Sequence, residues 1–390
     1  MNQSEVEEIR RLFPVTRQCI YFNHAGTGPL PETAVRAVTA YATRAAEEGE
    51  VPYEDAEAMV EDCRSTLARL LKVPADTIAF TSNTTAGIIL AINSVDWHPG
   101  DNVILMQDDF PTVTYPFRLM LPGVQIRWVE SAALVKSPEV IADLVDRRTR
   151  MVAVSWVHFL SGRAFDIRTI CRFCRERGVV SVIDAIQGMG VVDFDWSTLD
   201  ADFVTGHGAK WLLSPQGTGI VLTRSETLAR LRPVSLGWLS CDWRDFNDIF
   251  LQKPLKSGTA RLEAGTKNYL GIAGMSASLK LFEQVGVPAI EARIRNLCLR
   301  LRTRLEAAGF EVITPKERER SAGIITCHKP GVESARIHGW LRGAKMVCAL
   351  RQNLLRIAPH CYNTEAEVDS FLERACAPEA TTAPRSDCKI

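Results

Sequence analysis

Thr205-Gly206-His207-Gly208-Ala209-Lys210-Trp211-Leu212-Leu213 is a short strand-like segment that runs into a glycine-rich turn carrying a lysine. Upstream lies the apolar run Val179-Val180-Ser181-Val182-Ile183, which ends in Asp184-Ala185-Ile186-Gln187. An acid therefore stands at the end of one strand, and a lysine follows the next. Because open α/β sheets bind ligands at the carboxyl ends of their strands, the pattern predicts one pocket for Asp184 and Lys210.

This pair has the chemistry that pyridoxal 5'-phosphate (PLP) requires of a protein. A lysine forms the Schiff base, and an acid pairs with the pyridinium nitrogen and keeps it protonated. Alone, Lys210 would be read as a solvated lysine and Asp184 as a helix cap. The glycine-rich flanks and the Asp-x-x-Gln spacing favour the PLP site instead.

The composition is that of a soluble globular protein without a macromolecular polyanion as partner. The chain has 390 residues, with 46 basic and 46 acidic side chains, so we expect no attraction to nucleic acid or to an anionic membrane. No apolar run is long enough to span a bilayer, and the polar N-terminus is unlike a secretory signal. Eleven cysteines, an odd number, favour free thiols in the cytoplasm. The one C-x-x-C, at Cys171 and Cys174, lacks the second pair that a metal site needs.

Strand-like and helix-like segments alternate along the chain, which predicts an α/β fold with a mostly parallel sheet. A second, smaller α+β domain is predicted from about residue 268, with two long helices and strands near residues 324–327 and 354–357. The predicted division is an N-terminal arm at 1–24, a large domain at 25–267, a small domain at 268–376 and a disordered tail at 377–390.

The order of several motifs resembles the class V aminotransferase family, which has PLP fold type I and includes cysteine desulfurases, isopenicillin epimerase-like proteins and kynureninases. The motifs that carry the resemblance are Tyr21-Phe22-Asn23-His24-Ala25-Gly26, Thr81-Ser82-Asn83-Thr84-Thr85-Ala86-Gly87, Glu263-Ala264-Gly265-Thr266-Lys267-Asn268-Tyr269 and Leu355-Arg356-Ile357-Ala358-Pro359-His360. The resemblance covers nearly the whole chain, and it implies that the N-terminal arm packs with the small domain.

The resemblance also implies roles for individual residues. Gln187 would contact the PLP 3'-oxygen, Phe110 would cover one face of the ring, and the hydroxyls near residue 84 would hold the phosphate at a helix N-terminus. His207 is a weaker candidate, because the family's usual spacing before the lysine is not kept. The cofactor-binding set is Thr84, Thr85, Phe110, Asp184, Gln187, Thr205, His207, Lys210 and Thr266.

The substrate implied by the family is an α-amino acid whose carboxylate pairs with Arg356, since a guanidinium binds a carboxylate through two hydrogen bonds. Arg351 is a second candidate anion site, and His24 a candidate for the pocket entrance. Thr266 matches a threonine that reaches the partner's phosphate in this family, which implies a homodimer with shared active sites.

Several reactions stay open. The short segment at 347–353 holds Cys348 in an apolar run, unlike the mobile loop that a persulfide-forming desulfurase needs. This counts against a desulfurase, and among the remaining reactions the resemblance to the family favours a β-elimination C–S lyase acting on a cysteine-type conjugate. The alternatives are a class V aminotransferase, an epimerase, a desulfurase, a kynureninase-type hydrolase and a PLP-binding homologue without turnover.

Overall fold

The computed structural model describes residues 1–243, 253–317 and 320–377. The strands in these residues are β1 Ile20–Tyr21, β2 Ile78–Thr81, β3 Asn102–Met106, β4 Gln125–Val129, β5 Thr149–Ser155, β6 Val180–Asp184, β7 Phe203–His207, β8 Gly219–Leu222, β9 Glu311–Val312, β10 Ile325–His328, β11 Met346–Val347, β12 Ala349–Arg351 and β13 Leu354–Ile357. The helices are α1 Gln3–Arg11, α2 Glu32–Glu48, α3 Tyr53–Leu71, α4 Thr84–Asn93, α5 Pro111–Met120, α6 Ser131–Lys136, α7 Val140–Leu144, α8 Ile167–Glu176, α9 Ser225–Arg230, α10 Tyr269–Val285, α11 Val287–Ala307, α12 Ser334–Gly343 and α13 Glu365–Cys376.

A central sheet organises the first two thirds of the chain. Within the described residues it has seven strands in the order β2-β8-β7-β6-β5-β3-β4. The pairs from β7 to β4 are parallel, whereas β8 is antiparallel to both β7 and β2. Parallel neighbours need a long crossover, but an antiparallel neighbour can be reached by a short connection. The turn that carries Lys210 is this short connection, between β7 and β8.

The sheet is covered on both faces, as expected for parallel strands that read as continuous apolar runs. Every residue of β3 and of β6 is buried. One face packs against α4 and α5, with Ile88 and Phe117 fully buried there. The other face forms a larger core that extends to Leu67 of α3 and Met275 of α10.

A smaller antiparallel sheet follows, with strands in the order β12-β13-β10-β9. The N-terminal arm contacts this part of the chain, because β1 pairs in parallel with β11. Arg10 of α1 donates to Glu367 of α13 at 2.8 Å, and the rings of Phe13 and Tyr362 stack with centroids 4.0 Å apart. Arg356, on β13, reaches the central sheet through a hydrogen bond from its Nη1 to the carbonyl of Phe159, which follows β5.

The predicted α/β class with a mostly parallel central sheet is confirmed. The domain limits stay predictions, and the tail predicted to be disordered lies, from residue 378 onward, outside the described residues. Among the residues that are described, none of the helices is both long and apolar enough to cross a membrane.

Candidate active site

Lys210 lies in a tightly closed turn after β7. The Gly208 N–H donates to the Thr218 carbonyl at 2.8 Å, and the Ser214 N–H donates to the Gly208 carbonyl at 2.9 Å. A Cβ atom at Gly208 would lie 2.6 Å from the Thr218 hydroxyl oxygen, so only glycine fits. The turn therefore holds the lysine backbone in one place.

Asp184 ends β6, between Ser155 of β5 and Thr205 of β7. Its side chain is 2% exposed, and its Oδ1 accepts a hydrogen bond from the Ile186 N–H at 2.9 Å. Burial raises the pKa of Asp184 to about 6, an effect that the Ile186 N–H and the Lys210 ammonium oppose. A buried carboxylate without a full counter-charge is a site prepared for a cation.

The same burial acts in the opposite direction on the lysine. It lowers the pKa of Lys210 to about 8, although Asp184 opposes the shift; Arg356 and Arg351 add to it. The Lys210 Nζ atom lies 5.5 Å from the centre of the Phe110 ring. A lysine with this pKa is partly neutral near neutral pH, so it can act as a nucleophile or a base.

Hydroxyl groups gather where α4 begins. Asn83 caps the helix by accepting the Ala86 N–H at 2.9 Å. The hydroxyls of Thr84 and of Thr205, on the neighbouring β7, are buried and lack a hydrogen-bond partner. The Thr85 hydroxyl contacts that of Thr112. Free hydroxyls at a helix N-terminus suit an anion such as a phosphate.

Phe110 forms an aromatic wall over the site. It is 40% exposed, and its ring meets that of Phe159 edge to face, with centroids 5.2 Å apart. An exposed aromatic ring this close to Lys210 is available to cover a flat ligand.

Arg356 brings a buried positive charge to the same pocket. It is 3% exposed, its Nη1 donates to the Phe159 carbonyl at 2.8 Å, and its Nε lacks a partner. Burial, together with the charge of Arg351, lowers the pKa of Arg356 to about 10. Arg351 itself is exposed, with its Nη1 bonded to the Leu350 carbonyl at 2.9 Å. The two arginines can therefore bind anions, one inside the pocket and one at its edge.

Gln187 and His207 already have partners in the protein. Gln187 donates through Nε2 to the Ala25 carbonyl at 3.0 Å and accepts through Oε1 from the Trp211 indole N–H at 2.8 Å. His207 accepts the Thr218 N–H at Nε2, at 3.3 Å. Burial, followed by the charge of Lys210, lowers the pKa of His207, so this ring is neutral and its Nε2 is engaged.

His24 lies deeper than the sequence suggests for an entrance residue. It is 0% exposed, with Nδ1 2.7 Å from the Ala358 carbonyl and Nε2 2.7 Å from the Tyr362 hydroxyl. Burial sets the pKa of His24 well below its ordinary value. This geometry favours a role in packing the N-terminal arm rather than in contacting substrate.

Thr266 lines a cavity of about 610 Å³ together with Ser82 and Gly217. The neighbouring Glu263 is a structural residue: its carboxylate pairs with Arg64 at 2.8 and 3.0 Å and accepts the Phe80 N–H. Thr266 thus lies near the segment before α4, whose hydroxyls suit a phosphate, and it does not share this cavity with Lys210.

Three comparisons with known proteins agree. The sequence model named Aminotransferase class-V matches residues 20–371. The chain belongs to this family. It is 30% identical to a probable cysteine desulfurase of Methanothermobacter thermautotrophicus, over 73% of this chain and 72% of that protein. It is 27% identical to the isopenicillin N epimerase of Streptomyces clavuligerus, over 96% and 98% of the two chains. The structure of the cystine C–S lyase C-DES in complex with cysteine persulfide has the same fold, with a TM-score of 0.86 at 23% identity over 93% of this chain and 99% of that one.

Membership of the class V aminotransferases makes this chain a PLP-dependent enzyme of fold type I, as the sequence predicts. The site fits that cofactor on its own chemistry. Two buried hydroxyls lack a partner, that of Thr84 at the N-terminus of α4 and that of Thr205 on β7, against which α4 packs, and the buried acid Asp184 interacts electrostatically with Lys210. No group of residues that could hold a metal ion is found in the described parts of this class V chain.

Sequence reasoning missed one acid of the site. Asp109 is 8% exposed and accepts hydrogen bonds from the Ser155 N–H at 2.8 Å, the Ser155 hydroxyl at 2.5 Å and the Phe110 N–H at 2.7 Å. It thereby ties the end of β3 to the end of β5. The sequence did contain a signal for Asp109. It is an acid that follows a strand and directly precedes Phe110, and Asp184 was identified by its similar place at the end of a strand.

Proposed function

We propose that this chain binds PLP and catalyses β-elimination from a cysteine-type conjugate, breaking a C–S bond. Lys210 would carry the cofactor, Asp184 would pair with its ring nitrogen, and Thr84 and Thr205 would hold its phosphate. PLP bound there would accept the electron pair left at the substrate α-carbon. The observation that supports this assignment is that Asp184 is buried at the end of β6 and lies near enough to Lys210, in the turn after β7, for each charge to act on the pKa of the other.

The chain's own residues would divide the remaining work. Arg356 would bind the substrate α-carboxylate, because its Nε lacks a partner in the pocket. Lys210 Nζ, released when the substrate amine takes its place on the cofactor, would take the α-proton, and the sulfur substituent would leave the β-carbon as a thiolate with the electron pair of the C–S bond. Arg351, exposed at the edge, would attract an anionic group at the far end of that substituent.

The state of Cys348 is the observation that favours elimination over persulfide formation. The thiol is 4% exposed and lies between β11 and β12, where the Cys348 carbonyl is 3.2 Å from the His338 ring. Burial raises the pKa of Cys348 to about 12. Since the thiolate is the nucleophile, this thiol is not prepared to attack sulfur.

A pair of cysteine variants tests this reading. Cys348→Ala and Cys327→Ala both remove a buried thiol, and each should lower the free energy of unfolding by about 1 kcal/mol while leaving turnover intact. The measurement is pyruvate, ammonia and sulfur release from cystine and from S-substituted cysteines. Loss of sulfur release in Cys348→Ala, with Cys327→Ala active, would replace the lyase by a desulfurase.

The same substrates separate the other candidates. An aminotransferase would need a keto acid and would release no ammonia. An epimerase would exchange the α-proton with deuterium from the solvent without losing the sulfur group. A PLP-binding homologue without turnover would give none of these products, and a hydrolase of the kynureninase type would cleave a β-acyl substrate and spare cystine.

We also propose that the enzyme is a cytoplasmic homodimer with shared sites. Large apolar side chains stay exposed in the described chain, including Leu236 at 44%, Leu255 at 46% and Leu270 at 42%. In the proposed dimer these side chains would lie against the partner, because contact between subunits buries exposed apolar surface. Thr266, beside the phosphate-type cavity, would reach the partner's cofactor.

A further inference from the structure

Trp211, the residue after the candidate Schiff-base lysine, is held rigidly in the core. It is 0% exposed, and its carbonyl lies 3.1 Å from the His360 Nε2. A Cβ atom at Gly323 would lie 2.7 Å from the edge of the indole ring, which shows how closely the segment before β10 approaches it. The indole therefore cannot move without disturbing its neighbours.

The indole determines which way the side-chain amide of Gln187 faces. An indole N–H donates and cannot accept, so the Gln187 atom 2.8 Å from it is the amide oxygen. The nitrogen then points to the Ala25 carbonyl at 3.0 Å, and a carbonyl only accepts. Two independent partners thus select the same orientation of the amide.

This orientation leaves one group of Gln187 uncommitted. The amide nitrogen carries two hydrogens, and its one hydrogen bond in the described residues is to Ala25. The oxygen, in contrast, already has the indole N–H. Gln187 can therefore offer a donor to a ligand at the end of β6, where Asp184 also lies.

We propose that Trp211 is a positioning residue, which makes Gln187 present an N–H rather than its oxygen to the 3'-oxygen of PLP. The inference rests on the proposed function. A donor facing that oxygen favours its ionised form, whereas an acceptor would repel it. Without the indole N–H, the Ala25 carbonyl alone would hold the amide, so the amide would be less strictly oriented and part of this discrimination would be lost.

The test is a pH titration of the visible absorption of the PLP-loaded enzyme. Trp211→Phe keeps an aromatic ring but removes the donor, and we expect the apparent pKa of the absorbing group to rise by on the order of one pH unit. Site-specific replacement of Trp211 by benzothienylalanine, which keeps the bicyclic shape without the N–H, should give the same shift and covers the case that the phenylalanine variant does not fold. Trp196→Phe, at another buried tryptophan, should leave the titration unchanged.

A double variant shows whether the effect passes through Gln187. In a Gln187→Ala background, Trp211→Phe should produce no further shift, because the amide it orients is gone. If both variants that lack the indole N–H titrate with the same apparent pKa as the wild type, the inference is overturned while the proposed function stands. A wild-type protein that takes up PLP without any visible absorption would overturn both.

Discussion

Lys210 and Asp184 show how one environment adjusts two residues in opposite senses. Burial disfavours the charged form of each, so it lowers the pKa of Lys210 to about 8 and raises the pKa of Asp184 to about 6. Their mutual attraction opposes both shifts. The amine of Lys210 is therefore easily deprotonated, and the Asp184 carboxyl group is ready to ionise beside a cation. Binding of PLP requires both, because a neutral amine attacks its aldehyde and a carboxylate pairs with its pyridinium nitrogen.

The capture of PLP by the cofactor-free protein should follow the pKa of Lys210. The neutral amine is the reactive form, so the rate should rise about tenfold per pH unit at low pH. It should level off near pH 8, a lower pH than for an ordinary lysine, whose pKa is about 10.4. Stopped-flow absorbance after mixing with PLP measures this. Asp184→Asn removes the charge that raises the pKa of Lys210, and it should move the midpoint to lower pH. A midpoint above pH 10 would contradict the burial of the amine.

Two elements, α4 and β7, form the anion site by packing together. A Cβ atom at Gly87 would lie 3.0 Å from the Thr205 side chain, so glycine at this position lets the helix N-terminus approach the strand. The approach buries the hydroxyls of Thr84 and Thr205 without partners, a cost that the protein carries in the absence of a ligand.

Replacing either hydroxyl should separate stability from cofactor binding. Thr84→Val and Thr205→Val remove an unpaired buried group, so without PLP the melting temperature should stay equal or rise. Adding PLP should raise the free energy of unfolding of each variant by about 1 kcal/mol less than it raises that of the wild type. Thr326→Val is the matched control, since the Thr326 hydroxyl bonds to the Leu160 carbonyl and its loss should destabilise both states alike. Equal stabilisation of all proteins by PLP would contradict the phosphate assignment.

The strand β13 places Arg356 in the pocket, where lysine cannot replace it. A guanidinium makes two parallel hydrogen bonds to a carboxylate and an ammonium makes one. Arg356→Lys should therefore lower kcat/KM for α-amino acids by roughly 10- to 100-fold, mostly through KM. Arg351→Lys, at the exposed end of β12, should lower kcat/KM only for substrates that carry a second anionic group. Unchanged kinetics in Arg356→Lys would move the carboxylate site elsewhere.

At the scale of the whole molecule, the proposed homodimer with shared sites makes a prediction that mixing two variants can test. Lys210→Ala and Thr266→Ala homodimers should both be impaired. If Thr266 serves the partner's site, a mixed dimer has one site with both residues intact, and unfolding and refolding the two variants together should restore part of the activity. If Thr266 serves its own chain, no mixed site is complete and mixing restores nothing.

Local pattern determined much of this protein. The apolar run at 179–183 predicted the strand before the acid, which the structure has as β6, because strands buried on both faces require continuous apolar sequence. The order of acid, strand and lysine predicted the relation of Asp184 to Lys210, since parallel strands present their carboxyl ends together.

Only the tertiary structure decided which polar groups face one another across distant segments. His24 is bonded to Ala358 and Tyr362, Asp109 to Ser155, and Gln187 to Trp211. Each pair depends on how strands and the N-terminal arm meet in space, and a hydrogen bond needs the two atoms to lie within about 3 Å. Periodicity along the chain specifies which face a residue occupies, but it carries no record of the partner on the other side.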